Sequence, residues 1–570
     1  MIHPGCRHCH AHAQPATILH HEKPGWRSGF KNLRGLTFVS VSAVSREVMT
    51  RRNRDWSTVL WACASVIVIS FLCIWAVKTW QRVIFPWDLY VWPESPFLTN
   101  MLKLERRLPV FSSPADGNSF VYSPGLEYLC FGLLKPFGLE LDIRFCRLVS
   151  ILMAALGAGF AGLAIKRVVY PGAPAGQRKG FFLVSAGAVF LVISKNFLAD
   201  VAHPDNLHTG HALLVFWLCF TAGETRRFGV ALGAMVVGGL GVFAKQTEAS
   251  AVFGAALYFA VWNPWGWKHW FVLLATGIGI LGISLYALWL PEYARFYTLE
   301  LPSRHGIVLL KIRGLAHFFW RLDGGLMPLL CVLAMCFFWQ AGGITRRYLV
   351  CWSVIGCFAV TPALAAFLKA EGEVNNLALF RTWMLLLVWP FFGRLLALLR
   401  SEKITLQEIP IPRRRAIQIT LGLVIVLSLL WLLPIKQPPV TAHYEYAGAI
   451  ENSLRTDMHA GRSVLVAHGT SALIHCGATT VPLDRANSIL ELNTGKLGGL
   501  AGMSARIQSR SYDRIYLTVS AWYGQELEAE IASNYVEESV IKMNLVNPPK
   551  LAQGFQPEIM WDCHILKPRN

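Results

Sequence analysis

The chain has 570 residues, of which 54% are hydrophobic and only 15% charged, and its mean hydropathy is +0.42. A soluble fold cannot hide that much apolar surface, so the composition excludes an ordinary soluble enzyme and calls for a bilayer. The formal charge of +19 sits at the ends of apolar runs, with no Arg-rich recognition helix, which points to phospholipid headgroups rather than nucleic acid.

Residues 1–56 read as a disordered, basic cytoplasmic extension. Cys6, Cys9, His8, His10 and His12 superficially resemble a zinc knuckle, but no second ligand pair follows at the usual spacing, so no metal site is expected. Met49 to Arg54 makes an inside anchor before the first apolar run, which lacks a small-residue cleavage site.

Apolar windows able to cross about 30 Å of hydrocarbon fall near 57–79, 144–165, 180–195, 207–223, 228–244, 248–263, 269–290, 325–341, 348–368, 377–399 and 416–434. Eleven spans place Arg51-Arg52, Lys166-Arg167, Arg178-Lys179, Arg226-Arg227, Arg346-Arg347 and Arg413 to Arg415 on one side, which the positive-inside rule makes cytoplasmic. The N-terminus is then inside and the C-terminus outside. Leu126 to Phe137 is too short to span and reads as an interfacial helix, as does Pro96 to Val110; a twelfth span is the alternative.

After a Pro-rich linker at 434–439, residues 440–570 turn into soluble sequence. Ser463 to Ala467 and Arg514 to Thr518 predict strands, and Asn487 to Leu500 and Gly524 to Ser533 predict helices. The expected fold is therefore an all-α polytopic membrane domain over 57–434 with a small exported α/β domain over 440–570. Cys476 and Cys563 of the latter are candidates for pairing in an oxidising compartment.

The chemistry is expected in the outer loops. Asp88 and Glu94 form a carboxylate pair after the first span, one suited to act as general base while the other orients the acceptor, with Trp87, Tyr90 and Trp92 as a sugar-binding wall or an interfacial belt. Asp205, in the turn Asp200 to Asn206 with His203, either caps a helix or completes the acidic cluster. Lys245 and Gln246 stand between two spans, where a lysine either snorkels or meets a lipid phosphate. Arg304 and Lys311 in the 291–323 loop belong to an outward basic concentration that runs against the positive-inside bias and invites a phosphate counter-ion, and Arg106 and Arg107 in the first loop are further candidate phosphate ligands. Glu371 to Asn376 and Arg381 are weaker candidates for the same cavity.

Asp88, Glu94-Ser95-Pro96, Pro109-Val110-Phe111, Tyr122-Ser123-Pro124-Gly125, Phe137-Gly138, Arg144 and Arg147, with His203-Pro204-Asp205 and Lys245-Gln246-Thr247 further on, resemble bacterial GT-C glycosyltransferases. These are integral-membrane relatives of protein O-mannosyltransferases and aminoarabinose transferases. The resemblance covers roughly 57–434. It implies a polyprenyl-phosphate sugar donor, a lipid, glycan or protein acceptor, and inverting transfer on the outer, periplasmic face of a bacterial inner membrane. Asp88 or Glu94 would be the base, Asp205 a third catalytic acid, and Tyr122 and His203 would line the donor site. The sequence departs from the resemblance in that its acids are six apart rather than adjacent, and His203 stands where relatives carry arginine. The cofactor stays open, a divalent cation included. The rival class is a lipid or glycan transporter or flippase, although no internal repeat is evident.

Overall fold

A computed structural model describes residues 41–400, 438–477, 501–517, 525–542 and 562–570, apart from residues 90, 172–174, 197, 305, 323–325, 370–373 and 468. The chain divides into Met1–Arg51 and Arg52–Asn570, and the second unit carries the apolar spans and the C-terminal sheet. The Cys6–His12 cluster, the eleventh apolar window and the helix expected over 487–500 lie outside the described residues.

Helices α1 (Val41–Val83), α2 (Val91–Glu105), α3 (Gly125–Leu134), α4 (Ile143–Val169), α5 (Ala175–Ser194), α6 (Asp205–Thr225), α7 (Phe228–Ala244), α8 (Ala251–Val261) and α9 (Trp267–Trp289) are followed by Leu310–Leu322, Leu326–Ala341, Gly343–Leu368 and Ala378–Arg400. Among the described residues five helices are long and apolar enough to cross a membrane: Val59–Val83, Ile143–Val169, Trp267–Trp289, Gly343–Leu368 and Asn375–Leu395. Lys179–Ser194, Phe228–Ala244 and Leu326–Ala341 are shorter apolar helices. The described part is mostly helical, with these five candidate spans where the sequence suggests eleven.

Small residues let these helices approach closely, as they must where lipid offers no hydrophobic drive for association. Gly157 of α4 meets Gly210 of α6 so tightly that a Cβ at 157 would lie 2.7 Å from the Gly210 Cα. The short apolar run after residue 125 forms α3 and one 3-10 turn to Phe137, and the helix expected from Pro96 to Val110 is α2, which begins at Val91 and ends at Glu105.

The C-terminal part carries a four-stranded sheet in the order β1-β2-β4-β3, with β1 Val464–Ala467, β2 Arg514–Leu517, β3 Tyr535–Ile541 and β4 Cys563–Pro568. β1 and β2 pair in parallel, Val464 opposite Arg514, and β4 runs antiparallel to both its neighbours. Both expected strands are present, and the helix expected from Gly524 is Gln525–Asn534. Cys476 and Cys563 are free thiols rather than a bridge. One face of the sheet and the helix Thr441–His459 share a core with the segments that follow α1 and α5: Phe85, Leu89, Leu198 and Val201 pack with Tyr446, Ile450, Leu454, Val464 and Tyr516.

Candidate functional site

Asp205 is the hub. It opens α6 behind Pro204, where a carboxylate meets the positive end of the helix. Lys245, extended at the end of α7, donates from Nζ to Asp205 Oδ1 at 2.8 Å. The amides of Asn375 and Asn196 donate to Oδ2 at 2.8 and 3.4 Å, and His203 Nδ1 lies 3.4 Å from the same oxygen. Burial alone would raise this carboxyl, but the charges of Lys245 and His203 outweigh it and hold Asp205 well below the usual carboxylate range. Lys245 is correspondingly raised despite its burial, chiefly by Asp205.

Tyr122 completes this corner. The Lys245 ammonium sits 5.0 Å from its ring centroid, and the His203 ring meets its edge at 5.2 Å. Gln246 ties the Tyr122 segment down, accepting from the Ser123 amide at 3.4 Å and donating to Val121 O at 2.9 Å. Gly125 explains the Tyr-Ser-Pro-Gly run: a Cβ there would lie 2.0 Å from Phe243 O, so only glycine lets α3 begin against the end of α7.

Glu94 and Asp88 differ in kind. Glu94 is fully buried and held on both oxygens by Arg147, Nε to Oε1 and Nη2 to Oε2 at 2.8 Å each. It also accepts from the amides of Leu89 at 2.6 Å and Ala202 at 3.1 Å. Those bonds occupy both oxygens, so Glu94 fixes the first loop to α4 and to the turn carrying His203 and Asp205, and has no oxygen left for a substrate proton. Arg82 and Asp200 form a second buried pair beside it, 2.6 Å from Nε to Oδ2.

Asp88 instead accepts from the hydroxyls of Ser95 and Ser471 and, at 3.3 Å, from the Ser471 amide. Burial lifts its carboxyl above the ordinary range against the lowering effect of the two hydroxyls; the Glu94 charge adds to the rise and Arg147 opposes it. Ser471 belongs to the C-terminal helix Thr470–His475, which also bonds Ser95, the Gly469 amide donating to Ser95 Oγ at 3.0 Å. Trp87 donates to Glu451 at 2.8 Å and packs on Tyr444 and His475. It therefore ties the first loop to the helix Thr441–His459.

The remaining cations stand apart. Arg106 is half-buried and Arg107 and Arg304 are exposed, while Lys311 donates to Lys369 O at 2.5 Å and lies over Phe367. No contact joins any of them to Asp205 or Asp88 among the described residues. Conversely, Ser471, Asn196, and the pair His208 and His211 were not singled out in the sequence. The two histidines face Glu248 at 2.7 and 2.8 Å, anchoring the turn that carries Lys245. Among the described residues no group of three or more His, Cys, Asp or Glu side chains is arranged to hold a metal.

No known family and no curated protein matches the chain by sequence. Solved structures do resemble it. ArnT from Cupriavidus metallidurans in the apo state is 11% identical, with a TM-score of 0.48 over 88% of this chain and 98% of that one. The same protein bound to undecaprenyl phosphate gives 12%, 0.46, 88% and 97%. The oligosaccharyltransferase AglB from Archaeoglobus fulgidus, in complex with an inhibitory peptide and a dolichol-phosphate, gives 11%, 0.44, 81% and 69%. At these values the likeness leaves the activity to be argued from the site.

Proposed function

We propose that the protein is a membrane glycosyltransferase that moves a sugar from a polyprenyl-phosphate donor to an acceptor hydroxyl at the outer membrane surface, with inversion. The observation that carries this is the buried Lys245, paired with the Asp205 carboxylate, which the Asn375 amide also bonds, and lying beside the Tyr122 ring. A buried cation beside an aromatic ring suits a lipid phosphate followed by a sugar.

Asp88 is the base. Its buried carboxyl is raised and bonded only by hydroxyls and an amide, whereas Glu94 is clamped by Arg147 and Asp205 is paired with Lys245. In the reaction the acceptor oxygen forms its bond to the anomeric carbon from the face opposite the phosphate, and its proton passes to Asp88. The bond from that carbon to the phosphate oxygen breaks, and polyprenyl phosphate leaves with its charge met by Lys245. Tyr122 and His203 flank that phosphate, and Asp205, relieved of part of its partner, keeps the ammonium aimed. A phosphodiester is already an activated leaving group, so one base and one cation suffice.

The test is incubation of the purified protein, in lipid, with a panel of polyprenyl-phosphate monosaccharides. Release of free polyprenyl phosphate together with a glycosylated acceptor supports transfer. Movement of intact lipid-linked sugar across the bilayer without cleavage would replace it with a flippase.

A further inference from the structure

A buried acid outside this machinery has a signature of its own. Glu127 on α3 is fully buried, and its Oε1 accepts from the Nδ2 of Asn100 on α2 at 3.1 Å. The other oxygen of each group, Glu127 Oε2 and Asn100 Oδ1, is buried and has no hydrogen-bond partner among the described residues. If Glu127 were ionised, both would be acceptors without a donor, in the apolar cluster of Phe97, Leu98, Met101, Leu126, Cys130 and Cys146. A single proton on Oε2 supplies the donor that Asn100 Oδ1 lacks and closes a two-point acid–amide pair.

We propose that Glu127 works as a neutral carboxylic acid sharing its proton with Asn100, and that this pair is a positioning element that locks α2 to α3 and so holds Tyr122 and Ser123 against Lys245 and Gln246. The chain of contacts is short. Glu127 lies in the first turn of α3, two residues after Gly125, which touches the end of α7, and four after Ser123, which Gln246 bonds. Burial also raises the Glu127 carboxyl to about 7, against the lowering bond from Asn100.

Among the described residues no charged group is placed to stabilise the ionised form. On α3 itself the titratable neighbours are Tyr128 and Cys130. On α2, Lys103 is committed to Val110 O, Asn118 O and the hydroxyls of Ser112 and Ser119. On α4 stand Cys146, beside Cys130, and Arg147, which is committed to Glu94. The Lys135 turn after α3 pairs with Glu105, and α7 carries no titratable side chain.

The positioning role rests on the sugar-transfer function; the proton does not. The experiment compares wild type with Glu127→Gln, whose amide reproduces the donor of the protonated acid, in binding of undecaprenyl phosphate from pH 6 to pH 9. Wild-type affinity is expected to fall by up to tenfold per pH unit above about 7 relative to the variant, the titration of the probe's own phosphate cancelling in the ratio. Infrared spectra of the unliganded protein at pH 6 should show a protonated-carboxyl band that Glu127→Gln lacks. Parallel affinity curves, or no band assignable to Glu127, would overturn the proposal. If the band is present and pH-dependent stability is lost in the variant, yet undecaprenyl phosphate does not bind at any pH, the sugar-transfer function fails while the Glu127 proton stands. Should Glu127→Gln not fold, the same band sought in wild type and in Asn100→Leu decides it: the band must shift when Asn100 is lost, and an unchanged band overturns the pairing.

Discussion

Lys245→Met separates the fold from the chemistry. Lys245 and Asp205 are both buried and 2.8 Å apart, so removing the ammonium leaves a buried carboxylate without its main counter-charge. Breaking such a pair costs about 3–5 kcal/mol. Because Asn375 and Asn196 still donate to Oδ2, the lower end, about 3 kcal/mol, is expected. The double variant Lys245→Met with Asp205→Asn removes both charges and should return to within about 1 kcal/mol of wild type, since a well-packed neutral replacement of a buried pair is often near-neutral. Donor binding should behave differently. A charge-assisted bond to the phosphate is worth about 1.5–3 kcal/mol, so both variants should bind undecaprenyl phosphate about 10–150-fold more weakly. Thermal unfolding in nanodiscs and titration with the lipid phosphate measure the two quantities. A stable double variant with wild-type lipid affinity would refute the phosphate role. The stability gap also has a sign in pH: Asp205 is lowered, so its contribution is present above its unfolded value of 3.8 and fades as pH falls through the folded one, and the gap between wild type and Lys245→Met should close in acid.

Glu94→Gln breaks a bidentate pair with Arg147 and should cost about 3–5 kcal/mol, read as lost folded protein rather than as slow turnover of a stable one; normal yield and melting with no activity would return Glu94 to the chemistry. Ser471→Ala removes the hydroxyl on Asp88 without touching the proposed base, so transfer should persist, and turnover abolished at normal donor affinity would make Ser471 part of the reaction. Arg304→Ala, at an exposed position, should weaken donor binding only at low salt, and an effect undiminished by salt would mean direct contact.

Much of the frame was legible. Apolar run lengths found the five long apolar helices, and the run boundaries put Asp205 and Lys245 at helix ends that meet although 40 residues separate them. The Tyr122 to Gly125 run stood out by resemblance, and its cause, the contact of Gly125 with Phe243 O, is a backbone approach that no periodicity announces. Ion-pair partners were harder. Glu94 looked as available as Asp88 because nothing in its local sequence shows that Arg147, 53 residues on, takes both its oxygens. Ser471 reaches Asp88 across 383 residues, and Trp87 meets Glu451 across 364. Such pairings follow from how the C-terminal segment seats on the helix ends, which depends on shape rather than on residue type. Asn375 gave little signal, because an amide carries no charge to mark it.

The central claim is that Asp88 takes the acceptor's proton while Lys245 holds the departing phosphate. The most direct measurement is donor affinity and single-turnover rate in Asp88→Asn, using a polyprenyl-phosphate sugar that the wild type cleaves. Wild-type affinity with a rate lowered by about 10²–10⁴ is expected; an unchanged rate would contradict the account.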